Sequence, residues 1–125
     1  LSVSRKESAF NPSAQSHAGA QGVMQIMPNT AQNEIAPDLG VRYYNLYKID
    51  DSVRFGTYYL MKLLDEFEGN SALAVAAYNC GPTCVRHVLA REYEDYPKET
   101  IVYTKMILGS DEAEGFVKFY ERMGF

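Results

Sequence analysis

The sequence predicts a mainly α-helical fold in one globular domain. Three observations carry that prediction. Apolar residues recur at helical spacing through most of the chain, and no stretch sustains the alternation of a half-buried strand. The composition, 46% hydrophobic and 22% charged, is that of a chain able to bury a core. With 125 residues there is room for one such core and not two.

The elements follow in order. A first helix is expected from about Leu1 and must stop near Phe10, because Pro12 disfavours α geometry at Asn11. The polar, small-residue stretch NPSAQSHAGAQG reads as a loop, and GVMQIMPNTA surrounds the start of another helix. APDLGVRYYNLYKID reads as irregular, interrupted by Pro37 and Gly40. In DDSVRFGTYYLMKLLDEFEGN, Val53, Gly56, Leu60, Leu63, Leu64 and Phe67 form one apolar stripe. Asp51 or Ser52 can cap its start, and Gly69 with Asn70 can end it. Gly56 on that stripe costs stability, which a close helix crossing would explain. Residues 72–78 are apolar on all sides, so their helix should be buried; NCGP breaks it, and a further helix starts near Thr83. KETIVYTKMIL continues the helical pattern to a break at Gly109 and Ser110. A last helix over 111–123 gathers Ala113, Phe116, Val117 and Tyr120 on one face, with Asp111 and Glu112 at its start.

The net charge of −4 argues against a nucleic-acid or anionic-membrane partner, since both need a basic face. No apolar run approaches the roughly 20 residues of a membrane span. The chain begins at Leu1 and shows no signal peptide, which reads as an excised domain or processed product. With ten tyrosines and no tryptophan, a site here would stack and hydrogen-bond through Tyr. Cys80 and Cys84 are most simply read as free buried thiols. A disulfide across the turn is the alternative, and a metal site with His87 would lack a fourth ligand.

The chain has no HExxH, no phosphate loop, no dinucleotide motif and no nucleophile signature beside His17 or His87. What stands out is Glu7. It lies one turn before the first helix must end, at the negative pole of the dipole, where an anion is disfavoured. Taken singly, each candidate has an ordinary reading. Glu7 would pair with Arg5 or Lys6 at the surface, Met24 and Met27 would fill core, and Tyr78 would bond backbone through its hydroxyl.

Their order along the chain says more. Glu7-Ser8, then Gly22-Val23-Met24-Gln25, then Ala77-Tyr78-Asn79, then Glu99-Thr100 with Tyr103 resembles the catalytic domain of the soluble lytic transglycosylases, on the goose-type branch of the lysozyme-like fold. The resemblance covers residues 4–108. Val23 replaces the usual Leu, Cys80 stands where a small residue is usual, and Ile101 stands where the family often has Arg. Less helix precedes Glu7 than in the family, so residues 1–125 read as a lysozyme-like transglycosylase domain of a longer chain.

The resemblance implies cleavage of the β-1,4 bond between N-acetylmuramic acid and N-acetylglucosamine in peptidoglycan, without hydrolysis, giving 1,6-anhydromuramyl ends. It implies no cofactor or metal, a glycan-strand partner, and a bacterial periplasmic or envelope location. Glu7 would be the single acid and base. Its proton must be held at neutral pH, which burial and a helix C-terminus both favour. Tyr78 would orient Glu7, while Ser16 and Gln25 would contact sugar. Met24 and Met27 would line the groove, and Asn79 would support its turn. Glu99 would meet stem peptide and Tyr103 would pack nearby. Two other readings are a goose-type hydrolase, using Asp38, Asp50 or Asp51 as a second carboxylate, and an inactive wall-binding module.

Overall fold

The structure is a computed structural model that describes residues 2–90 with Thr100, Tyr103, Thr104 and Ile107. Its helices are α1 (Ser2–Ser8), α2 (Pro28–Thr30), α3 (Ala36–Leu39), α4 (Ile49–Glu66), α5 (Ser71–Cys80) and α6 (Pro82–Leu89). Among the described residues there is no extended strand, only two isolated antiparallel bridges, Gln15 with Gln21 and Gln21 with Ile26. No helix among them is long and apolar enough to cross a membrane. Packing gathers the chain into two compact units, Leu1–Tyr59 and Leu60–Phe125.

In the first unit, α1 stops where Pro12 requires. Ala9 and Phe10 follow with left-handed φ of 52° and 62°, a conformation that non-glycine residues adopt at a cost. Between α2 and α3 the backbone widens to a π-helical turn over Ala31–Ile35. Pro37 has no N–H to give the α ladder, and the widening lies just before it. The helix Ala36–Leu39 falls inside the stretch expected to be irregular, and Gly40 ends it with a φ of 66°.

Helix α4 buries Gly56 and Leu63 of the expected stripe but corrects it at Val53. Phe55 is fully buried and Gly56 and Ser52 face the same way, whereas Val53 is 42% exposed. Phe55 packs its ring on Tyr44 at 4.7 Å between centroids. Ser52 is not a cap; it is buried, and its hydroxyl accepts the Met24 N–H at 3.2 Å. Gly56 is not at a helix crossing either. A Cβ there would stand 2.7 Å from Met24 Cβ, so the glycine makes room for the loop that carries Met24.

In the second unit, α5 is buried all round from Leu73 to Ala77, as its apolar run requires. Asn70 is not the end of α4 but the N-cap of α5, its Oδ1 accepting the Leu73 N–H at 3.1 Å. Gly81 and Pro82 turn the chain into α6, whose Val85 and Val88 are fully buried. The helices expected near 98–108 and over 111–123 lie outside the described residues, save that Thr100, Tyr103, Thr104 and Ile107 are helical.

Candidate active site

Glu7 sits in the last turn of α1, half-buried, where the sequence placed it. That turn is fastened to the loop that follows. Ser8 donates its hydroxyl to the Val23 carbonyl at 2.7 Å, and Ser4, one turn earlier, donates to the same oxygen at 3.0 Å. Ser4 and Ser8 share a helix face at i, i+4, so one carbonyl holds both. Ser8 also reaches the Ser4 carbonyl at 3.1 Å, bonding back into its own helix. Arg5, two residues before Glu7, holds its guanidinium 6.0 Å from the Phe10 ring centroid.

The Val23 carbonyl belongs to a tight turn. Gln21 and Ile26 exchange both backbone hydrogen bonds, at 2.9 and 3.0 Å, and the Gln25 N–H closes on the Gly22 carbonyl at 3.1 Å. Gly22, at a φ of 80°, has no space for a side chain: a Cβ would lie 1.9 Å from the Leu46 carbonyl oxygen. Gln25 is itself left-handed, with a φ of 49°. Its side-chain Nε2 donates to the carbonyls of Ala14 at 3.1 Å and Gly22 at 2.8 Å, so its amide nitrogen holds the loop together. Ser16 lies in that loop, exposed, and its hydroxyl accepts the Ala20 N–H at 2.9 Å. The hydroxyl hydrogen remains for another acceptor.

The two methionines part company. Met24 is buried, seated against Gly56, and acts as core. Met27 is 39% exposed at the start of α2. The first unit therefore gathers Glu7, Ser16, Met24, Gln25 and Met27 on α1 and the two loops bonded to it.

Tyr78, Asn79 and Tyr103 belong to the second unit. Tyr78 and Asn79 occupy the last turn of α5, both half-buried. Asn79 Oδ1 accepts the hydroxyl of buried Thr100 at 2.7 Å, which ties the end of α5 to the helical segment of Thr100 and Tyr103. Tyr103 is buried, at 2% exposure. Glu99 lies outside the described residues.

The free-thiol reading of the cysteines is corrected. Cys80 and Cys84 form a disulfide, their Cα atoms 5.8 Å apart, inside the range such a bond spans without backbone movement. The Gly81 turn brings them there. Sulfurs joined to each other cannot serve as thiolate ligands, which removes the metal alternative with His87.

Two of the three aspartates offered for a hydrolase accept local hydrogen bonds. Asp38 accepts the Tyr58 hydroxyl at 2.6 Å, and Asp51 Oδ2 accepts the Asn45 N–H at 2.9 Å. Sequence reasoning did not single out Ser4 or the Val23 carbonyl, and it took Ser52 for a helix cap. The i, i+4 spacing of Ser4 with Ser8, and of Ser52 with Gly56, was the legible signal.

Relatives share this arrangement's frame. The soluble lytic murein transglycosylase of Salmonella typhimurium is 35% identical over 124 residues, covering 89% of this chain and 19% of that protein. A lytic transglycosylase of Pseudomonas aeruginosa, solved as an inactive glutamate-to-glutamine mutant, superposes with a TM-score of 0.76 at 32% identity, over 96% of this chain and 21% of the other. A 70 kDa soluble lytic transglycosylase solved with bulgecin A gives a TM-score of 0.76 at 30% identity, over 94% of this chain and 21% of that one. The chain thus spans about one fifth of the length of these relatives. The Transglycosylase SLT domain family matches residues 1–101, and with that match and these relatives the chain belongs to that family, on the lysozyme-like helical fold.

Proposed function

We propose that this chain is the catalytic part of a peptidoglycan lytic transglycosylase, a lyase that cleaves the bond between N-acetylmuramic acid and N-acetylglucosamine and leaves a 1,6-anhydromuramyl end. The observation that carries the proposal is the setting of Glu7. It is a half-buried carboxyl in the terminal turn of α1, held against a loop by two serine hydroxyls on one carbonyl. A general acid at neutral pH needs a carboxyl whose surroundings let it hold its proton, and this is the role proposed for that position.

Glu7 first gives its proton to the leaving glycosidic oxygen, then takes the proton of the C6 hydroxyl as that oxygen attacks C1. The tethered hydroxyl has a high effective concentration, so the site needs only to keep water away. The substrate's N-acetyl group can stabilise positive C1, in place of a second carboxylate. Asp38 and Asp51 already accept local hydrogen bonds, and the relatives are named as lytic transglycosylases, which favours the lyase over the hydrolase. Ser16 and Gln25 would meet the sugar, Met27 would line the groove and Met24 would support it from beneath. Tyr78 would orient Glu7, with Asn79 holding its turn, Tyr103 packing behind and Glu99 reaching stem peptide.

The relatives support the reading: one lytic transglycosylase is inactive as a glutamate-to-glutamine mutant, and others are named murein transglycosylases. A disulfide fits an oxidising compartment, and so a periplasmic or envelope location, with further domains of a longer protein as neighbours. The test is mass spectrometry of digested peptidoglycan. Anhydro ends from the first turnover are expected. Reducing muramic acid ends, heavier by one water, would make the enzyme a hydrolase.

A further inference from the structure

The corner between α5 and α6 carries a feature that the family resemblance does not supply, since Cys80 stands where a small residue is usual. Tyr78 and Asn79 lie in the last turn of α5, and a helix end has unsatisfied carbonyls and frays readily. Here Gly81 takes a φ of 92° and a ψ of 150°, and Pro82 opens α6. No side chain caps the N-terminus of α6. Backbone bonds across the corner run from the Gly81 N–H to Ala77 at 2.7 Å and from the Val85 N–H to Gly81 at 3.3 Å. The covalent tie is the disulfide, which joins the last residue of α5 to the first turn of α6. On the other side, Asn79 holds Thr100.

We infer that the Cys80–Cys84 disulfide is a positioning element of the site: it clamps the corner so that the last turn of α5 presents Tyr78 and Asn79 in one arrangement, and turnover depends on its being closed. This rests on the transglycosylase reading of the site. Both cysteines are half-buried, so a small dithiol can reach the bond. Dithiothreitol would break the Sγ–Sγ bond. Each sulfur takes one electron and one proton, and the reagent closes to its own cyclic disulfide.

The test compares the oxidised chain, the chain reduced by dithiothreitol, and the Cys80→Ala/Cys84→Ala double variant, which needs no reductant. Turnover on soluble glycan strands is read as kcat and KM, with amide hydrogen exchange measured on peptides covering 77–84 and 52–63. Expected is exchange that rises more in 77–84 than in 52–63, with kcat down fivefold or more and KM little changed, in both opened forms. Reoxidation should restore the reduced chain and leave the double variant as it was. Unchanged exchange and kcat on opening the bond would overturn the inference. So would an equal rise in both peptides, since the bond would then hold only the fold at large. If the oxidised chain has no turnover at all, the transglycosylase reading fails, while exchange at 77–84 still decides whether the disulfide clamps the corner.

Discussion

A carboxyl at the C-terminal end of a helix is poorly placed for a charge and well placed for a proton, and Glu7 has that position in the structure as in the sequence. Glu7→Gln keeps the shape and most of the hydrogen bonding but removes the acid. Turnover should fall on the order of a hundredfold or more, the scale of general acid–base catalysis, while strand binding persists. Near-wild-type turnover in a peptidoglycan digest would remove Glu7 from the role. Gly22 is the other single residue with a sharp expectation. Gly22→Ala meets the Leu46 carbonyl and also a φ of 80°, so both backbone and loop must move. Left-handed strain alone is worth about 1–3 kcal/mol, and the clash adds to it. Soluble expression or the urea midpoint should fall steeply; an alanine variant as stable as the parent would contradict the packing.

Among the elements, α1 and α5 are fastened by different devices, and this separates stability from function. Ser8 joins the turn bearing Glu7 to the Val23 carbonyl, while Asn70 caps α5 at the end away from Tyr78. Ser8→Ala should cost about 0.5–1.5 kcal/mol, and Asn70→Ala about 1 kcal/mol. The two losses are similar, but only Ser8→Ala should also lower kcat, because it loosens the carboxyl's own turn. Chemical denaturation paired with turnover measures this, and equal effects on kcat would mean that the Ser8 bond is structural alone. Sequence periodicity placed α4 and rightly put Gly56 and Leu63 inside, but it took Val53 for core and passed over Phe55. The buried side is centred on Phe55, whose partner Tyr44 sits in a stretch without a helical pattern. A helical wheel does not show which loop will lie across it.

For the chain as a whole, the disulfide adds a term that is independent of the site. Closing a loop of about five residues restricts the unfolded chain by roughly 2 kcal/mol in the chain-entropy account. Reduction should therefore lower the melting temperature by roughly 5–10 °C. A calorimetric scan with and without dithiothreitol checks it, and an unchanged midpoint would mean that the reduced, unfolded chain is no freer than the oxidised one.

The sequence by itself determined the helical class, the end of α1 at Pro12, the buried run of α5 and the family motifs. Each of these is set within a few residues by period, proline geometry or composition, so no distant partner is needed. The tertiary structure decided what those residues touch. Ser52 left its expected cap to take the Met24 N–H, Gly56 made room for Met24, and the cysteines expected to be free joined across Gly81. Met24 went inward while Met27, three residues on, stayed at the surface. Such pairings depend on which backbone groups meet across long sequence separations, and a local pattern carries no information about that meeting until the chain has folded.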